Sequence, residues 1–308
     1  MTARPILLIG GPDSGKTNFV GCLWESLRAG KGRLIAPTAP ERVKYVEDAL
    51  EHVLQGRFAP RTEPGSEDAA EPFTVPVIDP SMPSEEPLQL VVPDVTGELW
   101  TKAVETCELA SQWMTALKEA SGILLFVRIG SDQNVAPLDW VTSARLLALQ
   151  AQRSHAVAAP ARDADDDPAV EIVEPEVLIP TQVYLCELLR FVEQAAKGSG
   201  KRKRVAVLVT AWDRLDRTRA KKGPNAYLEA EYPLFHGRLQ SLTSLDVELF
   251  GVSAVGGDFV DQAFRKRYLD GDPKAVGYVV RHKGDAVLRS EDLTVPVAWI
   301  LGAASSAT

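Results

Sequence analysis

The most constraining stretch of the 308-residue chain lies near its start, Pro5-Ile6-Leu7-Leu8-Ile9-Gly10-Gly11-Pro12-Asp13-Ser14-Gly15-Lys16-Thr17. Four consecutive apolar residues bounded by turn signals read as a buried strand. The glycines interrupt it, and Asn18-Phe19-Val20-Gly21-Cys22-Leu23-Trp24 reads as a helix. Gly10, Gly15, Lys16 and Thr17 stand at the G-x-x-x-x-G-K-[ST] spacing of a phosphate loop. Any fold that contains this stretch must bring a strand end, a tight turn and a helix start to one point.

Each residue type has a physical task there. Glycines let the backbone of Gly10, Gly11, Pro12, Asp13, Ser14 and Gly15 turn tightly and aim its N–H groups, which Pro12 alone lacks, at phosphate oxygens. The helix that carries Asn18 adds its positive N-terminal end. Lys16 is predicted to reach the β- and γ-phosphates, and the Thr17 hydroxyl to bind Mg²⁺. By composition alone the pattern arises in about one unrelated chain of this size in a hundred, and the flanking strand and helix make chance rarer still.

Later strand ends supply further parts. The apolar run Leu88-Gln89-Leu90-Val91-Val92 leads into Pro93-Asp94-Val95-Thr96-Gly97-Glu98. Asp94 at such a strand end can hold Mg²⁺, commonly through a water, and the Gly97 N–H can face a γ-phosphate. Val205-Ala206-Val207-Leu208-Val209 ends in Thr210-Ala211-Trp212-Asp213, and Val247-Glu248-Leu249-Phe250-Gly251-Val252 ends in Ser253-Ala254-Val255. Read by itself, Asp213 also suits the N-cap of a following segment.

This order of motifs resembles the Ras-like GTPases of the translation-factor-related class, over Pro5 to about Val255. The resemblance implies GTP and GDP as ligands with Mg²⁺. It implies that Asp213, within the motif opened by Thr210, accepts hydrogen bonds from the guanine N1–H and 2-amino group. Adenine lacks both donors and would leave a buried carboxylate unpaired. Ser253, Ala254 and Val255 would face the guanine O6 through their backbone. The lysine that packs along the base in that class is Ala211 here, with Trp212 as a neighbouring apolar surface.

The resemblance also implies a mobile-loop threonine that completes the Mg²⁺ shell. Thr38 and Thr62 are candidates, and Thr62, in the loop of 56–66, is chosen. Glu98 stands where many members carry a water-positioning Gln. A carboxylate there predicts slow hydrolysis awaiting a partner; the alternative is an acidic residue opening a helix over 99–119. Asp13 replaces the Asn of potassium-activated relatives, so it is either a K⁺ ligand or a loop-capping residue. The wording Gly-Gly-Pro-Asp-Ser-Gly-Lys-Thr-Asn-Phe with Val-Thr-Ala-Trp-Asp is further similar to the bacterial double-GTPases of conflict and defence gene clusters. That similarity implies a regulatory role beside a protein partner, a second GTPase or an effector subunit.

The remaining sequence sets limits. With 34 basic against 42 acidic residues the formal charge is -8, which disfavours nucleic acid as a partner. Cys22, Cys107 and Cys186 lack metal-ligand spacing and read as buried free thiols in helices, suited to a reducing cytoplasm. No run supplies the ~20 apolar residues of a membrane span, and Ile6–Ile9 is too short for a signal segment. Helices are predicted over 40–54, 137–152 and 181–196, a solvated basic run at Lys201-Arg202-Lys203-Arg204, and a hairpin over 278–288. A helix with Pro296 in its first turn is expected near the C-terminus. The acidic stretch around Asp163 to Asp167 reads as a flexible insertion spanning about 154–180.

The expected fold is three-layer α/β of the P-loop NTPase kind. Its central sheet is mostly parallel with helices on both faces, and its site lies at the strands' C-terminal ends. Because the motifs run from Gly10 to Val255, residues 1–308 are expected to form a single elaborated G domain, with residues 256–308 as a C-terminal extension.

Overall fold

A computed structural model describes residues 3–30, 32–38, 44–60, 73–81, 87–92, 97–136, 179–197, 202–272 and 274–302. Eight strands form one sheet: β1 (Ala3–Ile9), β2 (Phe73–Val77), β3 (Leu88–Val92), β4 (Gly122–Arg128), β5 (Lys203–Thr210), β6 (Leu245–Ser253), β7 (Tyr278–Lys283) and β8 (Ala286–Ser290). Their spatial order is β2-β3-β1-β4-β5-β6-β7-β8. The neighbours from β3 to β6 run parallel, whereas β2 on one side and β7 and β8 on the other are antiparallel. The sheet is α/β and mostly parallel, as the sequence predicts.

Parallel strands covered on both faces read as unbroken apolar runs rather than alternating ones. Along β1, Ile6 and Leu8 enter one core, and Leu7 and Ile9 enter the other. The first core packs α1 (Lys16–Ala29) and α2 (Lys44–Leu54) on the sheet, with Phe19 edge-on to Phe126 at 5.6 Å. The second packs α3 (Gly97–Thr106), α4 (Ser111–Glu119) and α5 (Thr181–Ala196) on the opposite face. Trp100, Leu117 and Leu189 are fully buried there. A fully buried side chain of this size contributes about 1.5–3 kcal/mol, so both layers are held strongly.

Beyond β5 the chain adds α6 (Arg217–Lys221), α7 (Gly223–Glu231) and α8 (Pro233–Ser241). After β6 come α9 (Gln262–Leu269) and, past the β7–β8 hairpin, α10 (Val295–Leu301) with Pro296 in its first turn.

Several local expectations are corrected. The helix foreseen over 99–119 is two helices, broken where Cys107 adopts φ 54. Cys107 is exposed and Cys186 half-buried, so only Cys22 fits the buried-thiol reading; burial, aided by the charge of Glu25, pushes its pKa up to about 12. The basic run is not solvated along its length. Lys203 is buried, its ammonium donates to the carbonyls of Ala120 and Lys118, and burial lowers its pKa. The helix expected over 40–54 is formed from Lys44 to Leu54, and residues 40–43 lie outside the described residues. The expected helix over 137–152, the acidic insertion over 154–178, Thr62 and Asp94 lie outside the described residues. No described helix is long and apolar enough to cross a membrane.

Candidate nucleotide-binding site

The phosphate-loop residues form the turn between β1 and α1. Gly15 caps α1 in the left-handed region at φ 91, which a glycine enters without steric cost. The Lys16 ammonium folds back over the turn and donates to the carbonyls of Gly10 at 2.8 Å and Gly11 at 2.9 Å, and to Ser14 Oγ at 3.2 Å. A cation is therefore suspended over the loop, and Thr17 follows it in the first turn of the helix.

The other motifs converge on this turn. Thr210, at the end of β5, donates through Oγ1 to the Ser14 carbonyl at 2.8 Å. Gly97 opens α3 against the loop, where an added Cβ would stand 2.3 Å from Pro12 N; only a residue without one fits. Glu98 follows in the first turn of α3. On the far side of the loop, Gly11 faces the ring of Tyr184, with 3.7 Å to a would-be Cβ.

A cavity of about 160 Å³ extends from Gly15 and Asn18 to Thr210, Ala211, Asp213, Ala254 and Val255. Asp213 and Ser253 lock its far end. Ser253 Oγ donates to the Asp213 carboxylate at 2.5 Å and accepts from Gly256 N at 2.9 Å. Burial raises the pKa of Asp213, opposed by the Ser253 hydroxyl; an ionised carboxylate here is short of solvent and suited to donors from a ligand.

Trp212 does not supply a surface to this cavity. Its ring is fully buried in the second core, edge-on to Tyr227 at 5.9 Å and stacked over Gly251. Ala211 turns at φ 57, so its neighbour's side chain goes inward. The aromatics lining the cavity are instead Phe19 and Phe58, and the Phe58 ring lies 4.8 Å from that of Phe259. Asn18 Oδ1 accepts from Ala59 N at 2.9 Å and holds this loop on α1.

Arg128 is a second residue outside the sequence motifs. It ends β4, donates to the Asp13 carbonyl at 2.9 Å and forms an ion pair with the Asp13 carboxylate. A charged residue closing the apolar run Ile123–Val127, at the sheet end that carries the phosphate loop, was a readable signal. Phe58 offered none, because its partner is far along the chain.

A search of curated proteins gives no match. Among solved structures, the bacterial selenocysteine-specific elongation factor EF-Sec aligns at 15% identity and TM-score 0.32, over 87% of this chain. The chain spans 29% of the length of that structure. A family model described as Double-GTPase 1 matches residues 7–300, from β1 to the last helix. The motifs described above all fall within that match, and the chain belongs to the Double-GTPase 1 family.

Proposed function

We propose that the chain is a GTP-binding switch that hydrolyses GTP slowly. One observation carries this reading: a single cavity joins the phosphate loop at one end to the Asp213–Ser253 pair at the other. At the loop end Lys16 takes the β- and γ-phosphates, and the backbone from Gly10 to Gly15 wraps them. Asp213 accepts from the guanine N1–H and 2-amino group, while Ser253, Ala254 and Val255 border the base edge. Because one sheet carries every described motif, we read residues 1–308 as one elaborated G domain.

The residues present suit Mg²⁺. Thr17 offers a hydroxyl oxygen in the first turn of α1, beside Lys16, and Asp94 and Thr62 would complete an oxygen set of the kind Mg²⁺ prefers. When bound, the ion neutralises charge on the β- and γ-oxygens. Gly97, pressed against Pro12, links the loop to α3, so a γ-phosphate that displaces Gly97 would also move that helix. We assign Glu98, in the first turn of α3, to orient water, and its own charge opposes approach to a phosphate, which supports a low intrinsic rate. We further infer a cytoplasmic, regulatory role beside a second GTPase or effector subunit of a bacterial defence system, on the similarity of the loop wording to double-GTPases of such clusters.

Phosphate release from GTP tests this. The expected rate constant is on the order of 10⁻⁴ to 10⁻² s⁻¹. Asp13 already has Arg128 and Ser131 as partners, so equal rates in Na⁺ and K⁺ are expected. Rates that require K⁺ would instead place the ion at Asp13. Tight GTP binding with no release would favour a nucleotide-binding scaffold, which Ala211 and Glu98 also permit, and release from ATP alone would make the chain an ATPase.

A further inference from the structure

The phosphate loop is gripped by two neighbouring strands at two successive residues. Arg128, ending β4, stands in register with Thr210, ending β5. Thr210 holds the Ser14 carbonyl and Arg128 the Asp13 carbonyl. The same guanidinium pairs with the Asp13 carboxylate, whose other oxygen accepts from Ser131 Oγ at 3.0 Å. Asp13 also sits at φ 59, a conformation few side-chain-bearing residues adopt without support.

A carboxylate in a loop that wraps a polyphosphate is electrostatically adverse. Among the described residues, the carboxylates of Asp13, Asp213 and Asp258 line the cavity, against the guanidiniums of Arg128 and Arg214. Arg214 stands 4.0 Å from Asp258, and Arg128 answers Asp13. Ala211, following Thr210, lines the cavity with a methyl group alone.

We propose that Arg128 is a positioning residue for the nucleotide: it cancels the Asp13 charge and fixes the loop from the β4 side, so that a loop bearing a carboxylate accepts a polyphosphate. The proposal rests on reading the cavity as a nucleotide site. It names a cation supplied by the chain itself where a bare carboxylate would repel the ligand. The pair is about one-third exposed, so the effect is moderate and sensitive to ionic strength.

The test is titration of fluorescent GTP in Mg²⁺ buffer, at low and at physiological ionic strength, against the full chain, Arg128→Ala and the double variant Arg128→Ala/Asp13→Asn. Arg128→Ala is expected to weaken GTP at least about tenfold, about 1.4 kcal/mol, and more at low ionic strength. Removing the Asp13 charge in that background is expected to recover most of the loss, which a merely structural role for Arg128 would not produce. Should Arg128→Ala melt out, Arg128→Gln keeps a planar donor without the charge and carries the same expectation. Unchanged affinity in the single variant, or a double variant no tighter than the single, overturns the proposal. A wild-type chain that binds no GTP at all would remove the nucleotide reading itself, a distinguishable result.

Discussion

Replacing Lys16 by Ala is expected to weaken GTP and GDP binding at least about 100-fold while leaving the fold intact. The ammonium already lies on the loop, held by the Gly10 and Gly11 carbonyls and Ser14 Oγ, so little ordering is needed when phosphate oxygens arrive. Each charge-assisted hydrogen bond to a phosphate contributes about 1.5–3 kcal/mol, and two of them reach the stated loss. The carbonyls that Lys16 serves in the free chain are only partly buried, so water replaces it at a cost of about 1 kcal/mol. Nucleotide titration alongside a melting curve checks both halves. A variant that still binds GTP tightly would mean the cavity beside the loop is not a phosphate site.

Asp213→Asn is expected to do two opposite things. Guanine presents donors at N1 and the 2-amino group, and an Asn amide turned toward them sets donor against donor. A loss of GTP affinity of about 100-fold is expected, with recovery on xanthosine triphosphate, whose 2-oxo group accepts from the amide. Stability should move the other way. Burial raises the folded-state pKa of Asp213 above its unfolded value, so its contribution to stability is present at low pH and is lost as pH rises through the folded value. At neutral pH the ionised group costs stability, and the neutral isostere, still able to accept from Ser253, removes that cost. The variant should therefore melt at or above the wild-type temperature at pH 7, with the gap closing as pH falls. Melting curves across pH 4 to pH 7.5 measure it, and a variant less stable than wild type at pH 7 would contradict a desolvation cost at the carboxylate.

What could be read from the sequence divides along a physical line. Segments whose properties are local were legible. The run Ile6–Ile9 before the phosphate loop, the strand Val205–Val209 before Asp213 and the helix 181–196 each carry their own periodicity or apolar content, and the structure forms each of them. Side-chain direction was not legible. Trp212 stands next to Asp213 in sequence, yet the left-handed turn at Ala211 sends its ring into the core, and no pattern in the sequence encodes that turn. Lys203 reads as one of four exposed cations, but its place in β5 drives it under the Ala120 carbonyl. The pairing of Arg128 with Asp13, 115 residues apart, depends on β4 lying beside β1, a fact of sheet order rather than of either segment. The same holds for Phe58 against Phe259, which brings the loop after α2 to the loop after β6.

The central claim is that the phosphate loop reads phosphates at Lys16 and the cavity adjoining it reads guanine at Asp213. Its most direct test is competitive titration of the purified full chain with GTP and ATP in the presence of Mg²⁺. Both share the triphosphate, so the difference between them isolates the base end. Because adenine would leave the Asp213 carboxylate unpaired, GTP is expected to bind at least about 100-fold more tightly than ATP. Equal affinities for the two would leave the phosphate loop in place and contradict the guanine site.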